Sequence, residues 1–328
     1  MKTHALIYCV GLLLATVWLT PTAQASEQDS LRKETFIYAI KDRDTLRLDK
    51  YDRPAATGAQ PCVIFVFGGG FAAGTRDAKA YRPFYEWLVR SGYSVVAIDY
   101  RLGMRNLKQQ LAPKQGKLQL FKQVVSIFEG SIAMAVEDLF DATNYVIAHA
   151  GDWQIDTGKI ISCGSSAGAI TVLQGEYERC NAGALSATLP PTFKYAGVMA
   201  FAGAIFSTTG PLKWNGRPAP ILLFHGDADK EVPYDKIRFR RLGFYGSKHI
   251  AAQLRTLNTP YYFYTVENDG HAVSNSPMWQ NRAEIDSFLK KMVADRQDLR
   301  IETTAKPLNK PEQKKKLTLQ DFIRNMKL

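Results

Sequence analysis

Six short runs of the chain are apolar at both odd and even positions: Cys62–Phe67, Tyr93–Tyr100, Lys159–Cys163, Tyr195–Phe201, Pro220–Phe224 and Tyr261–Val266. Rich in Val, Ile, Phe or Tyr, they predict strands buried on both faces. Two alternating segments, Phe36–Ile40 and Thr45–Asp49, flank Lys41-Asp42-Arg43-Asp44 and predict an antiparallel hairpin. Between the runs, apolar residues recur at spacings of three and four over Ala78–Val89, Ile132–Ala148, Ile250–Leu257 and Arg282–Val293, which predicts helices. Strands alternating with helices predict an α/β fold with a mostly parallel sheet covered on both faces. Leu102–Glu129 and Tyr177–Thr192 fit neither period. They read as insertions over the C-terminal edge of the sheet, where active-site coverings sit.

Composition narrows this picture without changing it. The 328 residues are 46% hydrophobic and 22% charged, which excludes a disordered, collagen-like or coiled-coil chain. The first 25 residues have the layout of a secretory signal. Lys2 is followed by an apolar run from Ala5 to Leu19, and Ala23-Gln24-Ala25 offers a cleavage site, so an exported chain starting at Ser26 is expected. An uncleaved N-terminal anchor is the alternative reading of the same run. Cys62, Cys163 and Cys180 then remain, an odd number that forbids a complete disulfide framework within one chain. Cys62 and Cys163 lie in strand-like runs and read as buried small hydrophobes. No Cys or His pair has metal-ligand spacing, so neither a metal nor a cofactor is expected.

The formal charge of +11 is unevenly spread. Seven cations against Glu312 and Asp321 occupy Lys306–Leu328, which accounts for about half of it. Residues 297–328 therefore read as a basic C-terminal extension, solvated or loosely docked, behind a catalytic domain of residues 26–296. Leu317, Leu319, Phe322 and Ile323 would form a short amphipathic helix there, for which membrane contact is the weaker reading. No nucleic-acid motif accompanies the charge. The 102–129 segment is basic too, with Arg105, Lys108, Lys114, Lys117 and Lys122 against Glu129, and raises the question of a pocket mouth selective for anions.

The sharpest chemical feature is Gly164-Ser165-Ser166-Ala167-Gly168, between a predicted strand and the helix-compatible Ala169–Tyr177. G-x-S-x-G at a strand-to-helix turn exposes the serine hydroxyl on strained backbone, and its small flanks let strand and helix pack closely. Gly68-Gly69-Gly70-Phe71 ends the first parallel strand, and its glycines free backbone N–H groups to face a ligand, as an oxyanion hole requires. A serine needs a base. Of the four histidines in the mature chain, His271 stands just past Tyr261–Val266 and is the expected base. His149 and His249 read as surface residues, and His225 as a loop-fixing one. The acid that orients the base is Asp229, five residues past Phe224, ahead of Asp227 and then Glu231. The order Ser166, Asp229, His271 is a known triad order.

With Asp99-Tyr100-Arg101-Leu102, His225-Gly226, Val232-Pro233-Tyr234 and Gly270-His271, these motifs resemble α/β-hydrolases of the carboxylesterase and hormone-sensitive-lipase-like type, including bacterial feruloyl and acetyl-xylan esterase relatives. The resemblance runs from about Phe36 to Val293. It implies a central sheet of about eight strands, oxyanion donors at the amides of Gly69, Gly70 and Ala167, and cleavage of a small-molecule or carbohydrate ester. Phe67 stands where many relatives carry a histidine. A serine peptidase of the prolyl-oligopeptidase type and a catalytically silent binding protein are the alternatives. The first usually needs a propeller domain for which this chain has no room, and the second typically lacks the nucleophile or the base.

Overall fold

The computed structural model describes residues 31–53, 58–112 and 116–315, with 317, 318 and 321. The expected signal segment lies outside the described residues, as does most of the helix expected after Leu317.

The strands are β1 (Arg32–Lys41), β2 (Asp44–Asp52), β3 (Gln60–Val66), β4 (Ser94–Ile98), β5 (Ile155–Ser165), β6 (Gly197–Phe201), β7 (Ala204–Ser207), β8 (Ile221–Gly226), β9 (Lys236–Phe239), β10 (Leu242–Gly246), β11 (Tyr261–Val266) and β12 (Arg300–Ala305). Nine of them form one sheet in the order β1-β2-β4-β3-β5-β6-β8-β11-β12. The hairpin β1–β2 is antiparallel, and β2 joins β4 antiparallel. Every later pairing in that sheet is parallel. Val63 to Val66 are fully buried, and so are Val95 to Ile98 and Ile221 to Phe224. Because neighbouring side chains point to opposite faces of a sheet, burial at both parities means cover on both sides.

The helices are α1 (Arg82–Arg90), α2 (Leu107–Gln110), α3 (Lys117–Ala148), α4 (Ala167–Cys180), α5 (Ser247–Thr256), α6 (Pro277–Gln280) and α7 (Arg282–Phe288). α1 packs on β2 and β4, α3 and α4 on β5, and α5 on β8 and β11. The burial of α1 follows from Phe84, Tyr85, Leu88 and Val89 on one face. Past α7 the expected helix continues as a wider π-helical turn, Leu289–Ala294.

The sheet has nine strands where about eight are expected, and two expectations need correction. Arg300–Ala305 pairs in parallel with β11 from Tyr261↔Arg300 to Val266↔Ala305. The 297–328 segment, expected to be solvated or loosely docked, therefore begins by completing the sheet, which runs across the expected boundary at 296. The 102–129 insertion is largely helical: α3 starts at Lys117, 15 residues before the expected Ile132. A second sheet, in the order β7-β10-β9, was also unforeseen.

Candidate active site

The Ser166 turn is built by close approach. Ser166 follows β5 directly and has φ 52°, ψ −115°, a conformation costing a non-glycine residue about 1–3 kcal/mol. Its N–H donates to the Phe201 carbonyl of β6, and its own carbonyl accepts from Ile170 one turn into α4, which holds the strained residue in place. A Cβ on Gly168 would stand 2.0 Å from the Val66 carbonyl of β3, so only glycine lets α4 enter this close to the sheet.

His271 opens a 3-10 turn, His271–Ser274, just past β11. That turn is tied to the end of β5 by the Ser165 hydroxyl, which donates to the Ser274 carbonyl at 2.8 Å. Ser166 Oγ lies 2.7 Å from His271 Nε2, and His271 Nδ1 lies 2.7 Å from Asp229 Oδ2. With Nδ1 donating to the carboxylate, Nε2 is left as the acceptor for the serine hydroxyl. Asp229 is 1% exposed and all its acceptor capacity is directed. Oδ1 receives the backbone N–H groups of Glu231 and Val232 at 2.8 and 3.1 Å, while His225 Nε2 approaches Oδ2 at 3.4 Å. Burial acts to raise its pKa, but the hydrogen bonds from His225 and His271 outweigh that and hold the carboxyl well below the usual range.

Burial likewise acts to lower the pKa of His271. The hydrogen bond and charge of Asp229 prevail, helped by the charge of Glu231, whose carboxylate stands 3.8 Å from Nε2, and the imidazole is shifted above its ordinary value. His225 is fully buried. Its Nε2 also donates to the Val232 carbonyl at 3.2 Å, and its Nδ1 pairs with the Ser247 hydroxyl at 2.8 Å, so it holds the loop of Asp229. Asp227, the second candidate for the acid, turns away from His271: its Oδ1 accepts the N–H of Asn268 at 2.7 Å. His149 caps α3 and stacks on Tyr145, with ring centroids 4.0 Å apart.

Gly68-Gly69-Gly70 lies against this line. The N–H of Gly68 is committed to the Tyr81 hydroxyl, and the Phe67 carbonyl accepts from the Tyr100 hydroxyl, both at 3.1 Å. Phe67 itself is buried against the Tyr100 ring. Among the described residues the N–H groups of Gly69 and Gly70 have no hydrogen-bond partner, and Ala167 stands at the first position of α4, where the N–H has none within the helix. Gly69 has φ 141°, and a Cβ there would fall 1.9 Å from the Ala73 carbonyl, so this turn accepts no side chain.

These groups open into a cavity of about 880 Å³, a normal size for a small-molecule site. Its apolar wall comprises Phe71, Met104, Phe128, Ile170 and Phe244. The Phe128 ring packs edge-on against Phe71, Phe206 and Phe244 at 5.2 to 5.9 Å. Asn106, Lys108, Gln109 and Glu231 supply the polar lining. The first part of the 102–129 segment thus covers the site as expected. Of the four cations of this segment that are described, Arg105, Lys108, Lys117 and Lys122, Lys108 reaches the lining, which also carries Glu231. Sequence reasoning missed Phe128 and Phe244, whose one signal is their aromatic character in α3 and β10. Among the described residues no group of three or more His, Cys, Asp and Glu side chains is arranged to hold a metal ion.

The BD-FAE family model matches residues 48–115, from β2 through the glycine turn to the cavity-covering segment. A curated relative, the non-reducing polyketide synthase atr1 of Stereocaulon alpinum, is 35% identical over 83 residues. That match covers 24% of this chain, which spans only 3% of the length of that relative. Among solved structures, the thermophilic esterase Est2 of the planctomycete Thermogutta terrifontis superposes with a TM-score of 0.58 at 20% identity, covering 81% of this chain and 97% of that one. Its butyrate-bound form gives 0.57 at 20%, and its form phosphonylated by cyclosarin 0.58 at 20%, each covering 79% of this chain and 94% of the other. The parallel sheet, the serine turn entering α4 and these superpositions have one reading: the chain is an α/β-hydrolase in fold, similar over most of its length to a thermophilic esterase.

Proposed function

We propose that the protein is a serine hydrolase that cleaves carboxylic esters through Ser166, His271 and Asp229. The observation that carries this reading is the hydrogen-bonded line from Ser166 Oγ through His271 to Asp229, at 2.7 Å in both links, whose Ser166 and His271 line one cavity with Gly69 and Gly70, residues whose N–H groups have no hydrogen-bond partner among the described residues. Ser166 Oγ attacks the ester carbonyl as its proton passes to His271 Nε2. The N–H groups of Gly69, Gly70 and Ala167 stabilise the charge that develops on the carbonyl oxygen. His271 then protonates the departing alcohol, leaving an acyl-enzyme. Water, deprotonated by His271, releases the acid and restores Ser166.

The aromatic wall suits a short aliphatic or aromatic acyl group, and the polar lining suits a hydroxyl-rich alcohol such as a carbohydrate. The butyrate-bound state of the Thermogutta terrifontis esterase supports the acyl half of this reading. A fluorophosphonate probe is expected to label Ser166, alongside hydrolysis of p-nitrophenyl esters in a panel from acetyl to octanoyl and feruloyl, with acetylated xylan as the polymeric member. An unlabelled Ser166 would favour the catalytically silent binding role instead.

Export belongs to the same reading, supported by Lys2, the Ala5–Leu19 run and Ala23-Gln24-Ala25. A mature chain beginning at Ser26 in the periplasmic or culture fraction is the expected product, and a chain retaining Met1 in the cytoplasm would refute export.

The pH dependence follows from His271, which must be neutral to accept the serine proton. Its pKa is raised, so the acid limb of kcat/KM is expected to have its midpoint above the ordinary histidine value of about 6.5. Glu231→Gln removes one of the raising charges and should move the limb to lower pH while leaving the plateau in place. A limb that stays put in this variant would show that Glu231 does not act on the base.

A further inference from the structure

The basic C-terminal segment meets the two loops that carry Asp229 and His271. Lys315 Nζ stands 2.8 Å from Asp227 Oδ2, and Lys310 pairs with Asp269. Between them, the Gln313 N–H donates to Asn268 Oδ1 at 3.3 Å, and its side-chain amide donates to the Asn268 carbonyl at 3.2 Å. Lys230 donates from its ammonium to the Lys314 carbonyl. Leu317, 7% exposed, ends this course in a cleft beside Tyr234, Thr265 and Thr304. Each loop residue touched, Asp227, Lys230, Asn268 or Asp269, lies one to three positions from Asp229 or His271.

Asp227 also joins the loops directly. Buried at 6% exposure, it accepts the Asn268 N–H of the His271 loop at Oδ1 and pairs with the Lys315 ammonium at Oδ2. The N–H of Ala228 reaches the Asp269 carbonyl at 3.0 Å. Ion pairs on the surface add little to folding stability, so the placement of these contacts is what distinguishes them. Asp229 and His271 belong to different loops, and their 2.7 Å contact survives only if the loops keep their spacing. Loops are the mobile parts of such a scaffold, while catalytic geometry tolerates about 0.5 Å.

We propose that Lys310–Lys315 is a brace that sets the separation of Asp229 from His271, with Asp227, Gln313 and Lys315 as positioning residues. This rests on the esterase reading above. In the full chain, the triple variant Lys310→Ala/Gln313→Ala/Lys315→Ala is expected to lose kcat by as much as about 10²-fold, the scale of a 1 Å misplacement, with KM held. Lys315→Glu should lose kcat in the same sense, and Lys315→Arg should retain it. Backbone hydrogen exchange over 227–231 and 267–271 should quicken in the triple variant. Wild-type kcat in the triple variant overturns the brace, as does a loss that Lys315→Arg shares with Lys315→Glu. If the wild-type chain neither hydrolyses p-nitrophenyl esters nor takes a fluorophosphonate label, the esterase reading fails by itself. Hydrogen exchange then decides the brace alone: faster exchange supports it and unchanged exchange overturns it.

Discussion

Ser166→Ala is expected to lower kcat by about 10⁶, equivalent to about 8 kcal/mol of transition-state stabilisation. The size of the effect comes from coupling. Ser166 Oγ is the only group aligned on His271 Nε2 at 2.7 Å among the described residues, so without it the base has no nucleophile to activate. The substitution removes one oxygen and leaves the backbone of the turn, the N–H groups of Gly69 and Gly70 and the cavity unchanged. KM for a short p-nitrophenyl ester should therefore move little, and the folded structure should persist. Equal turnover with and without Ser166, measured on purified protein, would remove this serine from the chemistry.

Asp229→Asn is expected to cost about 10⁴ in kcat, or about 5 kcal/mol. In the native chain Oδ1 accepts two backbone N–H groups and Oδ2 accepts His271 with His225 nearby, so both oxygens face donors. An asparagine has one acceptor oxygen and one NH₂. If the NH₂ faces His271, Nδ1 must become the acceptor and Nε2 carries the proton, which is the wrong tautomer for deprotonating Ser166. If it faces the N–H groups of Glu231 and Val232, donors oppose donors in a buried site. The variant should also show an acid limb shifted to lower pH, because the largest influence raising the His271 pKa is gone. Native kcat in Asp229→Asn, with the limb unmoved, would transfer the orienting role to another acid. The same carboxyl bears on stability. Its pKa is depressed in the folded state, so its contribution is full above the ordinary value of about 3.9 and is lost only as pH falls through the depressed one.

The parts of the molecule legible in the sequence share a physical cause. The six central strands are buried at both parities, and such runs stand out from any helical period. Ser166, Asp229 and His271 were legible because each follows the C-terminal end of one of those strands, where a parallel sheet presents its functional loops. β12 was not, because Arg-Ile-Glu-Thr-Thr-Ala alternates exposed with half-buried positions at the sheet edge and lacks the apolar density of an inner strand. β7, β9 and β10 are four or five residues long, and what makes them strands is pairing across distant sequence, Phe244 with Phe206 and with Ile237. The start of α3 was hidden by its exposed lysines and glutamines, although Phe121, Val124, Val125 and Phe128 keep the helical spacing into Ile132. The cavity wall was hidden for a tertiary reason, since Phe71, Phe128 and Phe244 meet only once the glycine turn, α3 and the small sheet are assembled.

The position of β12 has a consequence for the order of events during synthesis. The strand that Ser166 follows, β5, pairs with β3 and β6, both complete by Phe201, whereas the outer edge of β11, just before His271, is covered only when Ala305 has been made. At a translation rate of about 5–20 residues per second, the ribosome needs roughly 5–20 s to pass from Phe201 to Ala305. Over that interval a nascent chain can hold Ser166 on a finished sheet centre, and once His271 is made it follows a strand whose outer edge is still open. On the proposed reading, the pairing of Ser166 with His271 thus settles late, with the closing of the last strand rather than with the folding of the first.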